Sequence, residues 1–149
     1  MSRDPHPKAP GLAAGITEPM IRTLVDSFYA EVRRDAMLGP IFEARVDDWP
    51  EHLDKLTAFW SSVVLMTGRY KGRPMPVHAA IPDISRVHFI RWLDLFRKTA
   101  NLVCPGAPAA LFIDRAERIA ESLHLGVCLS RGEGPVIAPI GFAAAPADA

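Results

Sequence analysis

The chain has 149 residues, 49% of them hydrophobic, which supports one compact domain with a real core and excludes a disordered or fibrous protein. Lysine plus arginine balance aspartate plus glutamate at 17 each, so the total charge argues for neither a nucleic-acid nor a membrane-surface partner. No run reaches the roughly 20 apolar residues of a membrane span and the start, "MSRDPHPKAPGLAAG", lacks a signal peptide's apolar core, so a cytoplasmic protein is expected.

Residues 1–15 and 131–149 are rich in Pro, Gly and Ala without a sustained period, and are expected to be flexible tails around a domain spanning 16–130. Between them the apolar spacing is helical and no window alternates like a strand, which makes the core all-α. The first long helix opens at Thr17, a good N-cap, with Glu18 and Pro19 in its first turn. Its apolar stripe is Ile21, Leu24, Val25, Phe28, Tyr29 and Val32. It should end before "LGPIF", where Gly39 and Pro40 break it. A second helix begins at Asp48-Trp49-Pro50-Glu51, a D-x-x-E capping box, and continues to Gly68, roughly 27 Å at about 1.5 Å per residue. In "TGRYKGRPMPVHAAIP" the prolines 74, 76 and 82 leave room for at most one or two turns around His78. The third long helix follows a cap at Asp83 or Ser85 and stops at Pro105-Gly106. The fourth starts near Pro108, with Phe112, Ala116, Ile119, Ala120, Leu123 and Val127 on one stripe, and finishes around Cys128 to Ser130. Cys104 and Cys128 stand singly in apolar helical runs and read as buried thiols of a reducing compartment.

On the second helix His52, Leu56, Phe59, Val63 and Met66 share a face, so a titratable ring is expected to point inward among apolar neighbours. Tyr29 and Trp92 lie on apolar stripes as well. Each of these polar-tipped rings also reads as an ordinary core residue whose one polar atom finds a partner. His78 differs, because an imidazole in a proline-clamped turn has a fixed direction and little packing role, which suits a ligand. Zinc lacks its ligand set, since there is no H-E-x-x-H and no clustered cysteines; the P-loop, G-x-G-x-x-G and G-x-S-x-G signatures are absent too. Haem needs one axial imidazole, a flat apolar slot, a few polar donors opposite, and cations at the mouth. The chain offers His78; Phe42 with Leu56; Tyr29, His52 and Trp92; and Lys55 with Arg69, Lys71 and Arg73. Without C-x-x-C-H such a haem would be held non-covalently.

The runs "SFYAEVRRDAMLGPIF", "WPEHLDKLTAFW", "GRYKGRPMPVH" and "FIRWLDLF", in that order, resemble the truncated haemoglobins, specifically group III, over about residues 17 to 128. The resemblance implies the two-over-two globin sandwich with a very small first helix. It implies haem b and its iron, with His78 as proximal ligand, and Tyr29, His52 and Trp92 on the distal side. Phe42 would stack on the haem, Leu56 and Trp60 would form pocket walls, and Lys55 and Arg73 would stand at the propionates. His88 and His124 match no ligand position; His88 reads as a helix-surface or core-edge residue and His124 as a surface group near a helix C-terminus.

The activity so implied is reversible binding of O2, CO and NO by a monomer, with room for redox chemistry on NO or peroxide. No flavin or nicotinamide motif occurs, so that chemistry would draw on a separate reductase. Two other classes stay open at this point: a gas-responsive sensor acting through a partner, and a haem-free helical binding module in which Tyr29, His52 and Trp92 are core.

Overall fold

The structure is a computed structural model that describes residues 4–72 and 84–132, and these form helices and no strand. In chain order the helices are α1 (Pro10–Ala14), α2 (Glu18–Arg34), α3 (Gly39–Arg45), α4 (Trp49–Leu65), α5 (Arg86–Val103) and α6 (Ala107–Ser130).

The long helices start where their caps dictate. Met20 N donates to Thr17 Oγ1 at 3.3 Å, and Glu51 N donates to Asp48 Oδ1 at 3.1 Å, each satisfying an amide that the first turn leaves without a carbonyl. At α5 the cap is Ser85, and His88 replaces the usual glutamate of a capping box, its Nδ1 accepting from Ser85 N at 3.0 Å. The sequence places the end of α4 at Gly68, but the left-handed cap is Met66, at φ 56°. The chain turns there because it is stitched back onto the last turn of α4: Ser61 and Thr67 hydroxyls lie 2.6 Å apart, and Tyr70 N donates to Ser62 Oγ at 2.9 Å. Gly106, at φ 91°, makes the left-handed joint between α5 and α6 that a side chain would resist.

Two short helices depart from the sequence reading. Residues 1–15 were expected to be a tail, yet Ala9 and Gly11 are buried, His6 N donates to Leu65 O at 2.9 Å, and α1 packs on α4 and α6. A Cβ on Gly11 would stand 2.5 Å from Val64 O, so the close approach of α1 to α4 requires glycine. Helix α2 stops at Arg34, before the "LGPIF" segment expected to break it, and that segment instead opens α3. Pro40 falls in the first turn of α3, where a missing N–H costs nothing.

Pairs α2–α4 and α5–α6 form two layers, joined by α2 against α5 and α4 against α6. The stripe of α2 read from the sequence is buried throughout. Between the layers a ladder of rings fills the core: Phe28 against Phe96 at 5.1 Å between centroids, Phe96 against Trp60 at 5.2 Å, and Trp60 against Phe112 at 5.7 Å. Each such buried side chain contributes roughly 1.5–3 kcal/mol by leaving water. Among the described residues no helix is long and apolar enough to cross a membrane.

Candidate functional site

Helix α4 carries two neighbouring stripes with different surroundings. Trp49, Trp60 and Val64 are buried in the core, whereas His52, Leu56, Phe59 and Val63, one step round the helix, are half-buried. The sequence assigned this second stripe to the buried face, with Met66 as its last member. Met66 instead caps the helix and is half exposed. Phe42 on α3, Trp92 on α5 and Leu123 on α6 are half-buried apolar residues packed against the same core. These are apolar side chains of four helices that the described core covers only in part, and on the α4 stripe among them stands one imidazole, whose Nε2 is buried.

Tyr29 is the centre of the polar cluster. It is 4% exposed, with its ring edge-on to Phe28 at 4.7 Å, to Phe42 at 5.8 Å and to His52 at 6.1 Å. Trp92, stacked on Phe96 at 5.4 Å with its plane inclined by 15°, hydrogen-bonds through its indole N–H to the Tyr29 hydroxyl. Burial pushes that phenol up to about 12 against the opposing effect of the Trp92 bond, so it keeps its proton throughout the ordinary pH range. Since Trp92 occupies a lone pair of the phenol oxygen, the phenol hydrogen is directed elsewhere and can be donated onward. The three rings picked from the sequence therefore meet, but as a relay, Trp92 to Tyr29, beside His52, and not as independent donors.

One ring of this cluster was missed. Trp49 has no role in the sequence reading beyond the D-W-P-E helix start and the run "WPEHLDKLTAFW" that it opens. In the structure it lies edge-on to His52 at 5.4 Å, 6.4 Å from Tyr29, and near-parallel to Phe42 at 6.4 Å, with the Arg33 guanidinium 4.4 Å from its centroid. The signal available was its spacing: residues 49 and 52 stand at i and i+3 on one helix. Outside this ring cluster, between α2 and α4, runs a groove of about 310 Å³ bordered by Arg22, Asp26, Arg33, Trp49 and Leu53, with Tyr29 also reaching it.

The remaining sequence candidates divide. Leu56 is half-buried on the stripe described above, and Lys55 is exposed beside it. Trp60, expected at a pocket wall, is 2% exposed, with ring contacts to Phe96 and Phe112 in the core. Arg69, grouped with the cations of the mouth, pairs with Glu18 at 2.7 Å and so ties the segment after α4 to the first turn of α2. His78 and Arg73 lie outside the described residues. His88 caps α5. His124, expected on the surface, is buried at 3% exposure, with Nε2 3.5 Å from Cys128 Sγ and its ring 5.4 Å from Phe89. The reason is register: Phe112, Ala116, Ala120 and His124 recur every fourth residue, and α6 continues to Ser130, well past the imidazole. Cys104 and Cys128 are both buried and stand in no disulfide.

No family model matches the chain. A curated relative, the group 3 truncated hemoglobin ctb of Campylobacter jejuni, is 34% identical over 109 residues, which is 70% of this chain and 86% of the relative. The chain belongs to the group III truncated haemoglobins. The crystal structure of the group III truncated hemoglobin from Campylobacter jejuni superposes with a TM-score of 0.69 at 34% identity, covering 73% of this chain and 89% of that one. The helical pairs described above are thus the two-over-two sandwich of this globin family.

Proposed function

We propose that this globin binds haem b non-covalently against the half-buried apolar side chains of α3, α4, α5 and α6, with His78 as the residue that would hold the iron, and takes O2, CO or NO reversibly on the side of Tyr29. The observation that carries the reading is the buried Trp92–Tyr29 hydrogen bond set against His52 at the edge of an apolar stripe. A donor pair and an imidazole beside half-buried apolar side chains suit a flat apolar group with a polar diatomic on one face. When bound, the haem would supply an iron centre that takes a diatomic molecule.

The protein's own residues do the rest. Leu56, Phe59, Val63 and Phe42 offer apolar contact and exclude water, and Lys55 and Arg73 are suited to the propionates at the edge. Trp92 fixes the Tyr29 oxygen, and the Tyr29 hydroxyl donates its hydrogen to the ligand. A hydrogen bond to a ligand that draws negative charge is worth roughly 1.5–3 kcal/mol, so Tyr29 favours O2 over the less polar CO and slows O2 release by about 10- to 150-fold. Retention of that kind suits chemistry on NO or peroxide more than delivery, with electrons drawn from a separate reductase.

The test is the absorption spectrum of the haem-supplemented protein, ferric, ferrous and under CO, beside His78→Ala. A Soret band with a CO-shifted ferrous form that is lost or altered in the variant supports the reading. Failure to take up stoichiometric haem overturns it and returns Tyr29, His52 and Trp92 to a helical binding module.

A further inference from the structure

Trp49 stands in the first turn of α4 with 9% of its surface exposed, and among the described residues its indole N–H is buried with no hydrogen-bond acceptor. No hydrogen bond among the described residues holds this ring, and a desolvated N–H left unsatisfied calls for a reason. Its neighbours supply one. On one side is His52, edge-on at 5.4 Å and 89°. Phe42 lies at 6.4 Å, inclined by 29°, and the Arg33 guanidinium sits 4.4 Å from the ring centroid. Arg33 is itself fixed by Glu43 of α3 at 2.9 Å. His52 in turn is edge-on to Tyr29 at 6.1 Å and 86°. The imidazole is therefore gripped from two directions, by the phenol and by the indole, and the indole is braced from α2 through a cation on its ring.

We propose that Trp49 is a positioning residue of the distal site: braced by Arg33 and Glu43, it holds the His52 imidazole against Tyr29. The inference rests on the proposed haem site for its consequence, although the ring geometry does not depend on haem. An imidazole that moves away from Tyr29 gives up the contact with Trp49 as well, so the brace sets how much of the time His52 stands beside a diatomic ligand. Removing the indole takes away one of these two ring contacts and gives the imidazole a second orientation. Removing the Arg33 guanidinium loosens the indole and has a smaller effect of the same kind. The groove between α2 and α4 lies on the outer side of Trp49 and Arg33, so the brace is reachable by substitution without entering the ring ladder of the core.

The experiment compares the wild type, Trp49→Phe, Trp49→Leu, Arg33→Gln and His52→Ala. In the ferrous CO form, the C–O stretching band reports the polar groups beside the ligand. Trp49→Phe, which keeps a ring, should retain the wild-type band. Trp49→Leu should move intensity toward the band of His52→Ala, with the ratio of the two populations changing by roughly 2- to 12-fold, the worth of one aromatic contact. Arg33→Gln should shift it in the same sense and by less. A Trp49→Leu spectrum that superimposes on the wild type, while His52→Ala moves the band, overturns the proposal. A second readout needs no haem: the His52 ring protons in the haem-free protein should carry ring-current shifts that collapse in Trp49→Leu and persist in Trp49→Phe. If the wild type takes up no haem, the functional reading fails alone and the ring protons decide this inference; unchanged shifts overturn it. If Trp49→Leu does not fold, Arg33→Gln, altered at a side chain 45% exposed, decides instead, and wild-type spectra in that variant overturn the brace.

Discussion

The Tyr29 phenol gives the sharpest test of the cluster because two opposing consequences can be weighed in one variant. Burial raises its titration from 10.0 to about 12, so the folded state binds the phenolic proton more tightly than the unfolded chain does. The stability this contributes is fully present below pH 10 and is lost as pH rises towards 12, and between those limits it amounts to roughly 2–3 kcal/mol. Tyr29→Phe has no such proton to lose. At neutral pH, however, the variant leaves the Trp92 N–H without its acceptor and should be less stable than the wild type by about 1–2 kcal/mol. The two stability curves therefore cross, with the wild type ahead at pH 7 and behind by pH 12, and with the crossing between about pH 10.5 and 11.5. Denaturant unfolding at stepped pH measures this directly, and absorbance of the tyrosinate near pH 12 assigns the group. Tyr70, also raised by burial, is common to both proteins and cancels. Parallel curves from pH 9 to pH 12 would refute the buried, hydrogen-bonded phenol.

The relay geometry makes ligand release non-additive: Tyr29→Phe should speed O2 dissociation by about 10- to 150-fold, and adding Trp92→Phe to it should change the rate little further, measured by stopped-flow displacement with CO. Independent, multiplying effects would show that Trp92 meets the ligand directly. Trp60→Ala should cost about 3–5 kcal/mol in denaturant unfolding as a core ring, whereas Leu56→Ala, half-buried on the second stripe, should cost much less and show itself chiefly as weaker haem retention. Equal losses of stability would erase the distinction between the two stripes. Asp35 faces opposing effects: burial works to raise it, and hydrogen bonds from Arg91, Leu38 and Met37 outweigh this and hold it below the usual carboxylate range. Its contribution is present above the unfolded carboxyl's titration and lost as pH falls through the folded one, so Asp35→Asn should lower stability at pH 7 and flatten the acid limb of the unfolding profile. An unchanged acid limb would remove the α2–α5 tie from the account.

The order of the helices was legible because it rests on neighbours in the chain. Thr17, Asp48 and Ser85 cap amides three residues on, and the stripe from Ile21 to Val32 needs only the helical period to define its inward face. Tyr29, His52 and Trp92 could be picked out as inward rings for the same reason. Local pattern fails where a segment's structure is imposed from elsewhere. Residues 9–14 carry too little periodicity to announce a helix, and they form one because Gly11 lets the backbone settle onto Val64. His124 read as a surface group near a helix C-terminus, yet its four-residue spacing from Phe112, Ala116 and Ala120 and the packing of that stripe against α5 turn it into the core.

For the four long helices the sequence by itself determined the apolar stripes and the starts, and that Tyr29, His52 and Trp92 lie on those stripes, since each depends on spacing and caps within a few residues. Only the tertiary structure decided which apolar stripe of α4 is core and which borders the site, that Trp92 donates to Tyr29, and that Trp49 stands against His52 under Arg33. The physical reason is that the helical period fixes the direction of a side chain about its own axis. The partner it meets depends on how two axes cross and how far apart they lie, which is set by the sum of packing across the whole core.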